Sequence, residues 1–421
     1  MIQNTPTLWS TIMVTTPSLS DVEYVSFLLE KTGNCLLDLG LQHFYKQESA
    51  ALAILKLFFS VCHRWRRIRL TVKVEDVEEA MLILRTQQAP QNLEEYEVRV
   101  GTWSAAHVDE LFGLLHSSTK LRSVDWGGSL SGSLRPDTPW SQIKELSLRF
   151  KYLSQDHLDA LKACPILTTL QVHQTKYSQF DDLTTLMLQP VALPNVRKLV
   201  VIDPTRNMRI FDALTLPLLN DLETSYSMGL FESSDLTPMV AMLRRSRCTL
   251  QSLALNGEDL PILFEAASAF EDIHTLKALT VLQESELIFL AAYPSESEQP
   301  GLTLLPKLRN LILHNYKAQD GVLSTVVSSR RHELEVLHVC IPDVKAFPLD
   351  YQTLLRAKAD GLSLTISGWV RPGRAVEFGR SIASATDDAG MTLIMLMHQS
   401  DTLEDLWLPW MDRLGSGLYD S

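Results

Sequence analysis

The sequence predicts an α/β solenoid: strand-plus-helix units stacked into a curved horseshoe, with a parallel sheet on the concave side and helices outside. Three observations carry that prediction. A short apolar pattern recurs along most of the chain at one approximate period. The stretches between copies read as amphipathic helices. Proline often stands just before the next copy.

The pattern is apolar, two residues, apolar, one residue, apolar. It begins clearly at Trp65, Ile68, Leu70 and repeats at Leu93, Tyr96, Val98, then Leu121, Val124, Trp126. It continues through Ile143, Leu146, Leu148; Leu167, Leu170, Val172; Val196, Leu199, Val201; and Leu219, Leu222, Thr224. The later copies are Leu250, Leu253, Leu255; Leu276, Leu279, Val281; Leu308, Leu311, Leu313; and Leu334, Leu337, Val339. Leu36, Asp38, Leu39 and Leu41 resemble a degenerate first copy. The ten steps from Trp65 to Leu334 average about 27 residues, inside the leucine-rich-repeat range of about 20–29. A single copy is uninformative, because any amphipathic segment supplies one. A long series at one period is not.

Helical spacing of apolar residues fills several gaps: Val74–Leu84, Ala106–Leu115, Leu158–Leu161, Leu236–Leu243 and Leu260–Ala267. Ser104, Ser154 and Ser234-Asp235 stand where helix N-caps belong. Pro165, Pro194, Pro217 and Pro306 precede strands, where proline ends a helix and favours extended chain. One strand and one helix cannot bury their apolar faces alone; stacked units share a continuous core. Gly127–Pro139 and Tyr293–Gly301 break the rhythm and read as loops. The pattern ends after Ile366. Helix-like Ala375–Ala385 and Met391–Met397 then suggest a terminal cap over residues 371–421.

Composition narrows the function. With 45% apolar and 21% charged residues, the balance is that of a folded globular chain. The net charge of −12 disfavours nucleic acid and anionic membranes as partners. Two basic runs, Arg64, Arg66, Arg67, Arg69 and Arg244, Arg245, Arg247, read as solvated faces or helix C-termini. The five cysteines are scattered, which argues for buried thiols in a reducing compartment and hence for a cytoplasmic or nuclear protein. No signal peptide and no membrane-length apolar run is evident. Nucleotide-binding, nucleophile-elbow and zinc-protease motifs are missing, so the expectation is a non-enzyme with no catalytic, cofactor-binding or metal-binding residues.

The amino-terminal segments Thr5–Ile12 (TPTLWSTI), Cys35–Leu41 (CLLDLGL) and Val61–Leu70 (VCHRWRRIRL) come in a telling order. Together they resemble the F-box/leucine-rich-repeat proteins of mushroom-forming fungi. There a T-P-x-L-W segment closes the F-box, and an H-x-x-R-W-R segment follows an L-D-L strand. Thr5, Pro6, Leu8 and Trp9 match, as do Arg64, Trp65, Arg66 and, one place offset, His63. The resemblance implies the substrate-recognition part of a cullin-type ubiquitin ligase adaptor. Only four residues precede Thr5, so residues 1–20 are expected to be an F-box remnant. The ligase linker subunit is then expected to dock only if the missing F-box were present. Residues 21–370 would be the solenoid. The alternative is a free-standing scaffold or a GTPase-activator-like protein with no ubiquitin role.

Side chains alternate along a strand, so residues between the apolar positions should line the concave face. The expected partner contacts there are Arg149, Gln171, His173, Val200, Ile202, Glu223, Leu282, Ile312, His314, Val336 and His338. The aliphatic members would supply apolar contact to a protein of unknown identity. Arg149, His173, Glu223, His314 and His338 would set its orientation. The Gly127–Pro139 loop is the other candidate contact surface.

Overall fold

The computed structural model describes residues 6–43, 48–74, 77–100, 103–127, 140–150, 153–174, 188–202, 209–225, 236–256, 270–282, 284–288, 290–291, 305–341, 346–369 and 393–396. The chain divides into two compact units. The first comprises Met1–Val201 with Arg209–Leu219, the second Ile202–Met208 with Asn220–Ser421.

In the first unit, strands β1 (Thr11–Thr15), β2 (Leu37–His43), β3 (Trp65–Val72), β4 (Glu95–Arg99), β5 (Ser123–Trp126), β6 (Glu145–Phe150) and β7 (Thr169–Gln174) pair in parallel, in sequence order. Two short strands, β8 (Val191–Ala192) and β10 (Leu214–Thr215), form a separate parallel pair. Between them in the chain lies β9 (Lys198–Ile202), which follows β7 in the main sheet. The crossovers carry α1 (Leu19–Lys31), α2 (Glu48–Ser60), α3 (Glu78–Thr86), α4 (Ala105–Leu115) and α5 (Gln155–Lys162); α6 (Arg209–Ala213) precedes β10. Right-handed crossovers in a sequence-ordered parallel sheet place the helices on one face.

The second unit repeats the scheme. Strands β11 (Asp221–Ser225), β12 (Ser252–Leu255), β13 (Thr275–Leu282), β14 (Asn310–Tyr316), β15 (Val336–Cys340), β16 (Ser363–Trp369) and β17 (Leu393–Leu396) pair in parallel in sequence order. Its helices are α7 (Thr237–Ser246), α8 (Glu284–Ile288), α9 (Val322–Ser329) and α10 (Pro348–Ala359). Each unit is thus a strand–helix repeat stack, consistent with a solenoid-like arrangement.

Register explains the stacking. Leu39, Ile68, Tyr96, Val124, Leu146 and Leu170 are successive cross-strand partners, all buried. Leu41, Leu70, Val98, Trp126, Leu148 and Val172 form a parallel column. In the second unit the column runs Leu222, Leu253, Leu276, Leu311, Leu337, Leu364. These columns are the repeated apolar positions of the sequence, buried together within each unit.

Helix starts follow the serines. The Ser104 hydroxyl accepts the His107 N–H at 3.3 Å ahead of α4. At α5, the Ser154 N–H donates to His157 Nδ1 at 3.2 Å in a capping box.

The structure differs from the sequence expectations at three places. The first described strand, β1, lies inside the segment expected to be an F-box remnant: Thr11 to Thr15 pair with β2 residue by residue. At β13 the repeat frame sits three residues earlier, on Ile273, Leu276 and Ala278, all buried, while Leu279 is partly exposed. The neighbours decide this, because Leu255 and Leu313 both pair with Ala278. At the far end, β17 lies within the expected cap. The rest of residues 371–421, the Leu260–Ala267 helix, the Ser234-Asp235 cap, Thr5, residues 128–139 of the first loop and residues 293–301 lie outside the described residues.

Candidate interaction face

The face of each sheet away from its buried columns carries the alternate residues. In the first unit these form rows of opposite charge. Arg67 pairs with Glu95 at 3.3 Å; Arg69 reaches Glu95 at 3.2 Å and Glu97 at 4.0 Å. Arg99 pairs with Glu97 at 3.0 Å and with Asp125 at 3.4 Å. Ser123 donates to Glu145 at 3.1 Å. Beside β2, Arg66 holds Asp38 through two hydrogen bonds of 2.8 and 2.7 Å, the bidentate fork that suits guanidinium and carboxylate. The first basic run of the sequence is therefore neutralised: Arg66, Arg67 and Arg69 face carboxylates. Arg64 is buried and donates to the Cys35 carbonyl at 3.1 Å.

Beyond this ladder sit Arg149 and Gln171, both half-buried, and His173, only 6% exposed. Gln171 Nε2 lies 2.6 Å from His173 Nε2. Burial first, then the Arg149 and Arg99 guanidiniums, push the His173 imidazole down to about 3, so it is neutral at pH 7. Val200 is 6% exposed and offers a partner almost no surface; Ile202 is partly exposed.

The second unit's open face is different in kind. Its central row is Glu223, Ala254, Lys277, Ile312, His338, Thr365, each paired in register with the next. Ile312, Val336 and Leu279 are partly exposed, and His314 is exposed. The His314 and His338 rings lie 6.2 Å apart, centre to centre. His338 Nε2 is 3.2 Å from the hydroxyl of Ser367, which is buried. His314 is held below its ordinary range by burial, then by His338 and Lys277, against the opposing pull of Glu223. Leu282 ends β13 opposite Tyr316, but its side chain lies outside the described residues.

The structure thus brings Ile312, His314, Val336 and His338 together on adjacent strands, and Arg149, Gln171 and His173 together on another pair. It does not join these two groups within one unit. Applying alternation only from Arg149 onward leaves out Arg67, Arg69, Glu95, Glu97 and Arg99. The same rule applied to the two upstream copies names them. Lys277 and Leu279 were missed because the β13 frame was read three residues late.

Among the described residues, no group of three or more His, Cys, Asp or Glu side chains is placed to hold a metal ion. Among the same residues, no helix is long and apolar enough to cross a membrane. All five cysteines are free thiols. A search of protein-family models finds no match for the chain, and a search of curated proteins finds none either.

Proposed function

We propose that the chain is a protein-binding module of leucine-rich-repeat class, built on the horseshoe plan, whose second unit presents the partner-binding face. One observation carries the reading. On the second unit's open face, Ile312, Val336 and Leu279 keep exposed apolar surface beside His314 and His338, with Glu223 and Lys277 at one flank. An apolar strip with a polar margin is the usual composition of a protein-binding surface. The first unit's face supports the contrast, since its charges already satisfy one another. The amino-terminal resemblance supplies the setting, a substrate receptor related to ubiquitin-ligase adaptors working in the cytoplasm or nucleus.

The test compares affinity capture by the native chain and by Ile312→Asp. A protein retained by the native chain and lost by a variant of unchanged melting supports the assignment. Equal retention by both overturns it. Reconstitution with a cullin linker subunit tests the ligase setting separately.

A further inference from the structure

At several places on the strand-start side of the sheet, side chains tie one turn to the next. Arg64 donates to the carbonyl of Cys35 in the turn before it. The Ser118 hydroxyl bridges to the Gln91 and Leu93 carbonyls at 3.2 and 2.8 Å, Gln142 to the Ser118 carbonyl at 2.6 Å, and Asn195 to the Pro165 carbonyl at 2.7 Å. In the second unit, Lys307 pairs with Asp272, and the buried Arg330 donates to the carbonyls of Leu290 and Leu305. Between the turn after α7 and the turn before β13, no side-chain bridge occurs among the described residues. A cavity of about 270 Å³ stands there instead.

The cavity walls are unlike each other. Arg244 and Arg247 come from the end of α7, Glu271 and Asp272 from the next turn, and Leu243 and Leu250 are apolar and buried. Both arginines are exposed, and neither has an ion pair among the described residues. A basic residue at a helix C-terminus is ordinary, because the free carbonyls there carry partial negative charge. A hollow lined by two arginines with no ion pair among the described residues on one turn, and by two acidic residues on the next, is not. Burial raises the Cys248 thiol above its usual range, so it adds no charge to the wall.

We propose that this cavity binds a small zwitterion of the free α-amino-acid class. The carboxylate lies between Arg244 and Arg247, where a guanidinium fork matches its geometry. The ammonium faces Glu271, since Asp272 already holds Lys307. A volume just under the roughly 300–1,000 Å³ of drug-sized ligand sites suits such a molecule. A peptide terminus fits less well, because it carries only one of the two charges on its α-carbon. The ligand would supply the cross-turn bridge that this junction lacks. The site is separate from the open face and does not depend on the protein-binding reading.

Calorimetric titration of the full chain with glycine, L-alanine and L-leucine tests this. Saturable millimolar binding of at least one is expected. For the amino acid that binds, the N-acetyl form and the amide, each missing one charge, should bind at least about tenfold more weakly. Glu271→Gln and the pair Arg244→Gln with Arg247→Gln should each lose binding to the same degree while melting like the native chain. Should the double variant melt early, the two single variants are titrated in its place. No saturable binding by any of the three, equal binding of the charge-deleted forms, or full binding by the variants would overturn the proposal.

Discussion

The Asp350 carboxylate accepts hydrogen bonds from the Gly321 and Ser324 N–H groups at 3.0 and 2.7 Å, while the Asp320 carboxylate accepts from the Leu349 and Asp350 N–H groups at 3.0 and 2.9 Å. Each aspartate satisfies the free amide groups at the start of the other's helix, so α9 and α10 cap one another. Asp350 is fully buried and also accepts the Tyr316 hydroxyl at 2.7 Å. Asp350→Ala would leave the Gly321 and Ser324 amides without this acceptor and the Tyr316 hydroxyl with only the Gln319 carbonyl, at 3.2 Å. A loss of about 2–4 kcal/mol is expected in urea denaturation, against about 1 kcal/mol for Asp320→Ala. Because the caps share one junction, the double variant should lose less than the sum.

The β13 frame gives a second test. Leu276 is buried in a column of leucines, whereas Leu279 is partly exposed. Leu276→Ala should cost about 2–5 kcal/mol, and Leu279→Ala well under half of that. Equal costs would restore the later frame.

Acid sensitivity is the third. His116 is buried, with its Nε2 2.6 Å from the Tyr96 hydroxyl, and burial pushes it down to about 3. His173 is pushed down to about 3 as well. The folded chain keeps both neutral, while the unfolded chain protonates them near the ordinary value of 6.5. Below that pH the unfolded state binds more protons, so stability falls as pH drops from about 6.5 toward 3. The slope is at most about 1.4 kcal/mol per pH unit for each histidine. Urea midpoints at pH 7 and 5 should differ less for His116→Gln than for the native chain.

Two glycines form the fourth. A Cβ at Gly127 would stand 2.7 Å from Arg99 Cγ and 3.2 Å from the Val98 carbonyl oxygen. One at Gly40 would overlap the tip of Met13, whose Sδ and Cε can swing away, and touch Arg69 Cβ at an ordinary 3.8 Å. Gly127→Ala should therefore cost about 1 kcal/mol or more and disturb the Arg99 ion pairs, while Gly40→Ala stays within about 0.5 kcal/mol.

Much of the fold is legible in the sequence, because each repeat writes its core positions within a few adjacent residues. The columns through Leu146, Leu170 and Leu311 follow directly. Ile273, Leu276, Ala278 and Leu276, Leu279, Val281 fit the pattern equally well, and only the neighbouring strands choose between them. Alanine at the third position hides the true frame. Of the open face, alternation gives the placement of Ile312, His314, Val336 and His338. It does not reveal that Val200 is covered, since burial depends on what lies across the strands. Nor could the sequence show the mutual capping of Asp320 and Asp350, since neither precedes the helix that it caps by the usual spacing.

The charged rows on the first unit's face bear on how the chain finds its register. Arg67 and Arg69 stand opposite Glu95 and Glu97, with Arg99 opposite Thr71. A one-residue slip of β4 would turn Tyr96 and Val98 toward water and is excluded by burial alone. A two-residue slip keeps the apolar face inward and escapes that filter. If it slid Arg99 beside Arg69, two guanidiniums would stand where an ion pair had been, a mismatch that costs stability in any sheet. The ladder contributes little to holding the finished sheet, but it penalises a slipped alignment that the leucine columns alone would accept.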